Sequence, residues 1–180
     1  VVAASWCPAK DPPLLALSLD GGTVVVLEED GTLHEEVVRS RAPLKPGCGG
    51  NAIVLGWTPQ PMTGGSVLLA MGWEDGTVMV WSQKEHMCRE DGDTHGGCPV
   101  AFVNFTPEGG RLISGDNRPV PPSARPTEAA VLAVWKVDPK GRINTIGPYR
   151  RPAAGALSHA IFRTAEQKKK LVTSAFAAAD

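Results

Sequence analysis

The sequence predicts an all-β chain built from repeated four-stranded sheets, and three observations support this fold class. Glycine and proline are abundant, with 20 and 16 residues in a chain of 180, and such frequent turn residues divide a chain into short segments. The apolar segments between them are rich in β-branched side chains, which favour strands. One pattern of strands also recurs in order about every 50 residues. A helical bundle or coiled coil is therefore disfavoured.

The recurring pattern begins with a strand that ends in an aromatic residue, one further residue and a proline. Proline removes a backbone donor at the point where the strand should stop. The pattern occurs three times, and a weaker fourth copy lacks the proline: Trp6-Cys7-Pro8, Trp57-Thr58-Pro59, Phe105-Thr106-Pro107 and Ile161-Phe162-Arg163. Each complete copy thus marks the first strand of one structural unit.

Each unit continues with two further apolar strands and a weaker fourth strand. The turn Glu74-Asp75-Gly76 has residue types that tolerate positive φ in a tight hairpin between the second and third strands. Units of this kind cannot bury their faces alone, and radial stacking as the blades of a β-propeller solves that problem. A β-sandwich is the alternative fold, but it does not require one strand order to repeat.

The predicted blades span about 1–40, 50–92 and 98–150, and residues 156–180 begin a further blade. Such a chain makes an incomplete ring, because propellers have at least four blades. Both ends lie within predicted strands, so we expect a fragment of a larger propeller. Open sheets leave apolar faces and strand edges in water, and the isolated chain is therefore expected to be poorly soluble or oligomeric.

The charge and hydropathy of the chain exclude several classes of function. There are 18 Lys+Arg against 19 Asp+Glu, a formal net charge of −1, so the chain lacks the basic excess that binds nucleic acid. A hydrophobic content of 42% excludes a disordered segment. No apolar run reaches the roughly 18 residues of a membrane span, and no signal-peptide pattern opens the sequence.

Four residues of the third unit match a known structural pattern. His95, Ser114, Asp116 and Trp135 occur in that order, and the chain resembles the WD40 family in this respect. In that family a His before the first strand, a Ser on the second, an Asp in the turn and a Trp on the third form a buried hydrogen-bonded set. The resemblance implies this structural role for the four residues.

Two departures from the WD40 pattern are visible. A Pro-rich insertion, Asn117 to Ala130, separates Asp116 from the third strand of its unit. The second unit has Asp75 and Trp81, but it contains no His ahead of Trp57. Both departures concern the hydrogen-bonded set, and the blade pattern is unaffected.

Four longer motifs follow one another along the second, third and fourth units. They are Ala70-Met71-Gly72-Trp73-Glu74-Asp75-Gly76-Thr77-Val78, Leu112-Ile113-Ser114-Gly115-Asp116, Trp135-Lys136-Val137-Asp138 with Gly141-Arg142, and Leu157-Ser158-His159-Ala160-Ile161-Phe162-Arg163. In their order and spacing these motifs resemble the first propeller of one family more closely, that of intraflagellar transport protein 140.

This resemblance implies a non-enzymatic scaffold with no cofactor, within a core subunit of intraflagellar transport complex A. The implied partners are the other subunits of that complex, and the implied location is the cytoplasmic side of the cilium or flagellum and its base. The implied role is retrograde transport and ciliary entry of membrane proteins. The alternatives are a phosphoinositide- or membrane-binding propeller, or a WD40 scaffold of a coat or ubiquitin-ligase complex.

Basic residues could support the membrane alternative, with anionic lipids as partners. They are Arg150, Arg151, Lys168, Lys169 and Lys170, and each Lys near an anionic surface contributes about 1 kcal/mol. A solvated turn is the simpler interpretation of so short a run. The insertion from Asn117 to Ala130 is either a partner-docking loop in a polyproline conformation or a disordered insertion.

Two groups of residues have the types needed for metal binding or catalysis. His86, Cys88, His95 and Cys98 would make an N2S2 zinc site if His86 and Cys88 shared one face of a strand and the others folded back. Against this, His95 already occupies the WD40 position and Cys98 precedes a proline. Ser114 follows two apolar residues within a predicted strand, whereas a nucleophilic serine needs an exposed, strained turn. We therefore predict no catalytic, metal-binding or cofactor-binding residues.

Overall fold

The computed structural model describes residues 1–9, 13–39, 50–91, 94–116, 118, 131–150, 159–162 and 171–174. Within these residues all regular structure is β-strand. The strands are β1 (Ala3–Trp6), β2 (Leu14–Ser18), β3 (Thr23–Glu28), β4 (Leu33–Val38), β5 (Ala52–Trp57), β6 (Leu68–Trp73), β7 (Val78–Ser82), β8 (Met87–Asp91), β9 (Val100–Phe105), β10 (Arg111–Asp116), β11 (Val131–Val137), β12 (Ile143–Arg150), β13 (His159–Phe162) and β14 (Leu171–Ser174).

Successive strands pair into antiparallel sheets. Sheet 1 consists of β1 to β4, sheet 2 of β5 to β8 and sheet 3 of β9 to β12, each in sequence order, while β13 pairs with β14. The first strands of neighbouring sheets lie against one another, β1 beside β5, β5 beside β9, and β9 beside β13. This is the arrangement of blades in a β-propeller whose ring is not closed. The predicted all-β, incomplete propeller is confirmed.

The connections alternate between the two ends of each sheet, because successive strands are antiparallel. We call the end with the β2–β3 and β6–β7 hairpins the upper rim, and the end with the β3–β4 and β7–β8 hairpins the lower rim. On the upper rim, the amide N–H of Gly21 donates to Asn51 Oδ1 at 3.0 Å. On the lower rim, the amide of Gln60 donates to the carbonyl of Pro107 at 3.1 Å. Corresponding rims of neighbouring sheets therefore meet.

Two apolar layers hold the three sheets together, and burial of each large side chain contributes about 1.5–3 kcal/mol. Every residue of β6 and β7 is buried, because sheet 2 is covered on both faces. The layer between sheets 1 and 2 includes Leu14, Ala16, Val24, Val26, Val37, Trp57, Leu69, Met71 and Trp81. The layer between sheets 2 and 3 includes Leu68, Ala70, Val78, Val80, Phe105, Leu112, Ala133 and Trp135.

Within the described ranges, sheet 1 is covered on one face only. Leu14 and Ala16 of β2 are buried, whereas Leu15 and Leu17, which point to the opposite face, are half-buried. Trp6 pairs with Leu15 on that face and is 59% exposed, in contrast to 6% for Trp57 at the same position of sheet 2. We call this surface the open face; it comprises Trp6, Leu15, Leu17, Val25 and Leu27.

Candidate functional site

A buried hydrogen-bonded set joins the strands of sheet 3. Trp135 Nε1–H donates to Ser114 Oγ at 2.8 Å, and Ser114 Oγ lies 2.8 Å from His95 Nε2. The other imidazole nitrogen, Nδ1, lies 3.4 Å from Asp116 Oδ2. All four side chains are fully buried. The structure thus brings together His95, Ser114, Asp116 and Trp135, the four residues that the WD40 resemblance singles out.

The direction of these hydrogen bonds follows from the donors available. An indole N–H can only donate, so Ser114 Oγ accepts from Trp135. An ionised carboxylate can only accept, so His95 Nδ1 carries a proton and donates it to Asp116. In the neutral imidazole with its proton on Nδ1, Nε2 accepts the hydrogen of the Ser114 hydroxyl. The result is one chain of donors that runs from β11 through β10 to the connection before β9.

Asp116 receives further donors from Arg118 and from the main chain. Arg118 Nη2 lies 2.9 Å from Asp116 Oδ2 and also donates to the carbonyl of His95 at 2.8 Å. The N–H of Val131 donates to Asp116 Oδ2 at 3.2 Å. Burial alone would raise the pKa of Asp116, but the hydrogen bonds from His95 and Arg118 and the Arg118 charge outweigh it, so the pKa is lowered. Burial tends to lower the pKa of Arg118, but Asp116 raises it.

This arrangement suits structural stabilisation. The hydroxyl of Ser114 is fully buried and accepts the Trp135 N–H, and an acyl-transfer nucleophile needs an exposed hydroxyl beside an oxyanion hole. Asp116 at the end of β10 thus binds Arg118, the one described residue within the insertion, and Val131, the first residue after it. We infer that the set locks sheet 3 internally.

Sheet 2 has a different partner for its buried aspartate. Arg39 lies just beyond β4, and its Nη2 is 2.8 Å from Asp75 Oδ2 and 2.6 Å from Thr77 Oγ1. The N–H of Thr77 donates to Asp75 Oδ1 at 3.1 Å, and the Arg39 guanidinium lies 5.0 Å from the centre of the Trp73 ring. A side chain from the connection before the sheet thus reaches the buried upper-rim carboxylate, as the His95 imidazole does in sheet 3.

Arg39 and Arg118 were missed at the sequence level, although a physical signal for them exists. A buried aspartate needs a cation or several donors, because an unpaired buried charge is very costly. In sheet 2, whose preceding connection (residues 39–51) contains no His, that requirement directs attention to the two arginines of this connection, Arg39 and Arg41. The sequence cannot show that Arg39 meets Asp75, since the contact spans two sheets.

A second polar cluster lies on the lower rim, between sheets 1 and 2. Trp81 Nε1–H donates to Glu35 Oε1 at 3.0 Å, and His86 Nδ1 lies 2.6 Å from Glu35 Oε2. The rings of His34 and His86 are stacked with centroids 6.5 Å apart, and His34 Nδ1 lies 3.2 Å from Glu28 Oε1. Glu35 therefore links β4 to β7 and to the β7–β8 turn.

The zinc hypothesis is not supported by the positions of its residues. His86 lies in the turn before β8, with φ of 48°, so the assumption that it shares an extended strand with Cys88 is wrong. His95 belongs to the set in sheet 3. In the described ranges, no three His, Cys, Asp or Glu residues are grouped so that they could hold a metal ion.

The chain matches one family model along its whole length. Residues 1–180 match the model described as IFT140 first beta-propeller. The chain belongs to this family. The resemblance carried by the motifs between Leu69 and Arg163 is thereby confirmed, and the match includes the first unit as well.

The same fold occurs in a solved structure that this IFT140-family chain resembles. It is Chaetomium thermophilum Sqt1, whose crystal structure was determined bound to the N-terminus of the ribosomal protein L10. The TM-score is 0.58 at 17% sequence identity, over 91% of this chain and 35% of that one. The similarity shows the fold alone, and the IFT140-family chain spans about a third of the length of Sqt1.

Most residues that the sequence suggested as lipid contacts or as a docking loop of this IFT140-family chain lie outside the described residues. Arg151, Lys168, Lys169 and Lys170 are outside them, as is the insertion apart from Arg118. Arg150 is the last residue of β12. In the part of the chain that the structure describes, no helix is long and apolar enough to cross a membrane.

Proposed function

We propose that this chain is a non-enzymatic protein-interaction part of a subunit of intraflagellar transport complex A. In this proposal it acts in retrograde ciliary transport and in ciliary entry of membrane proteins, at the cilium or flagellum and its base, and its partners are other subunits of the complex. The observation that carries the proposal is the match of all 180 residues to the IFT140 first beta-propeller family.

The packing of the sheets supports a scaffold role. Sheet 2 is buried on both faces, and the upper rim is fixed by Arg39 with Asp75 and by His95 with Asp116. Stiff sheets of this kind hold the rim loops at fixed positions, and loops on a rigid framework are the usual sites of binding. Sqt1, which shares the fold, binds the N-terminus of a ribosomal protein, which supports partner binding by this architecture.

Affinity purification of the full-length protein from ciliated cells, followed by mass spectrometry, tests the proposal. We expect recovery of complex A subunits, and recovery from extracts treated with nuclease and detergent should be unchanged if the contacts are between proteins. Recovery of coat or ubiquitin-ligase components in place of complex A subunits would contradict the ciliary assignment.

A further inference from the structure

We draw no further inference here: the strongest candidate, the open face of sheet 1 around the 59% exposed Trp6, is an unpartnered apolar surface, and nothing in the part of the chain that the structure describes shows what covers it.

Discussion

At the scale of single residues, buried polar groups on the upper rim differ in how completely they are satisfied. Ser114 Oγ has two partners within the set of sheet 3. Ser18 Oγ is equally buried but has no hydrogen-bond partner among the described residues. Loss of a hydrogen bond costs most when the partner group stays buried. Substitution by alanine should therefore lower the free energy of unfolding at Ser114 but not at Ser18.

Ser114→Ala is expected to lower the free energy of unfolding by about 1–3 kcal/mol, because it leaves the Trp135 N–H and the His95 Nε2 buried without a partner. Ser18→Ala serves as the control, and it should be neutral or slightly stabilising because it removes an unpaired hydroxyl. Urea unfolding of the unchanged chain, Ser114→Ala and Ser18→Ala measures both effects. Equal losses for the two variants would contradict the structural role of the set.

Asp116 should give the protein a specific sensitivity to acid. The pKa of its carboxyl is lowered in the folded state, so its contribution to stability is present above the ordinary pKa of an aspartate and is lost as the pH falls through the lowered value. Asp116→Asn should cost about 1.5–3 kcal/mol at pH 7 and flatten the dependence of stability on pH below about pH 4. Urea unfolding from pH 7 to pH 2 tests this, and parallel curves would count against it.

At the scale of elements, the hairpins between the strands determine how closely neighbouring sheets approach. Gly76 lies in the β6–β7 hairpin with φ of 88°, and a Cβ atom there would lie 2.8 Å from the carbonyl oxygen of Cys98. Gly31, in the β3–β4 hairpin, has φ of 86° with no atom within 4 Å of its Cβ position. The two glycines share a backbone conformation and differ in their neighbours.

Gly76→Ala should therefore destabilise the protein more than Gly31→Ala. Both variants incur the cost of positive φ for a residue with a side chain, about 1–2 kcal/mol. Only Gly76→Ala also forces the β6–β7 hairpin away from the connection before β9. Thermal unfolding of both variants measures the difference, and identical melting temperatures would show that the close approach has no energetic weight.

At the scale of the whole molecule, the open face of sheet 1 is the main apolar surface that remains exposed among the described residues. Trp6 is 59% exposed there, whereas Trp57 and Phe105, which occupy the same place in the repeat, are 6% and 7% exposed. The difference arises because a neighbouring sheet covers Trp57 and Phe105, whereas no sheet in the described part of the chain covers Trp6. Exposed apolar faces of this kind favour association.

The isolated chain is therefore expected to self-associate, and Trp6→Ser should reduce the association because it removes the largest exposed apolar side chain of the open face. Size-exclusion chromatography with light scattering measures the effect. Leu112→Ser changes a fully buried residue and should instead unfold the protein. A sharp monomer peak for the unchanged chain would refute this expectation.

The sequence by itself determined the strands, their order and the likeness to one family. The aromatic-x-proline repeats and the Asp/Gly turns act within a few residues of chain, so local patterns predict the sheets, and the WD40 resemblance names His95, Ser114, Asp116 and Trp135. Only the tertiary structure decided that Arg39 reaches Asp75, and that Glu35 joins Trp81 and His86. Each of these pairs links two sheets and is at least 36 residues apart in sequence. Such contacts depend on how the sheets stack, which the local pattern of side chains does not specify.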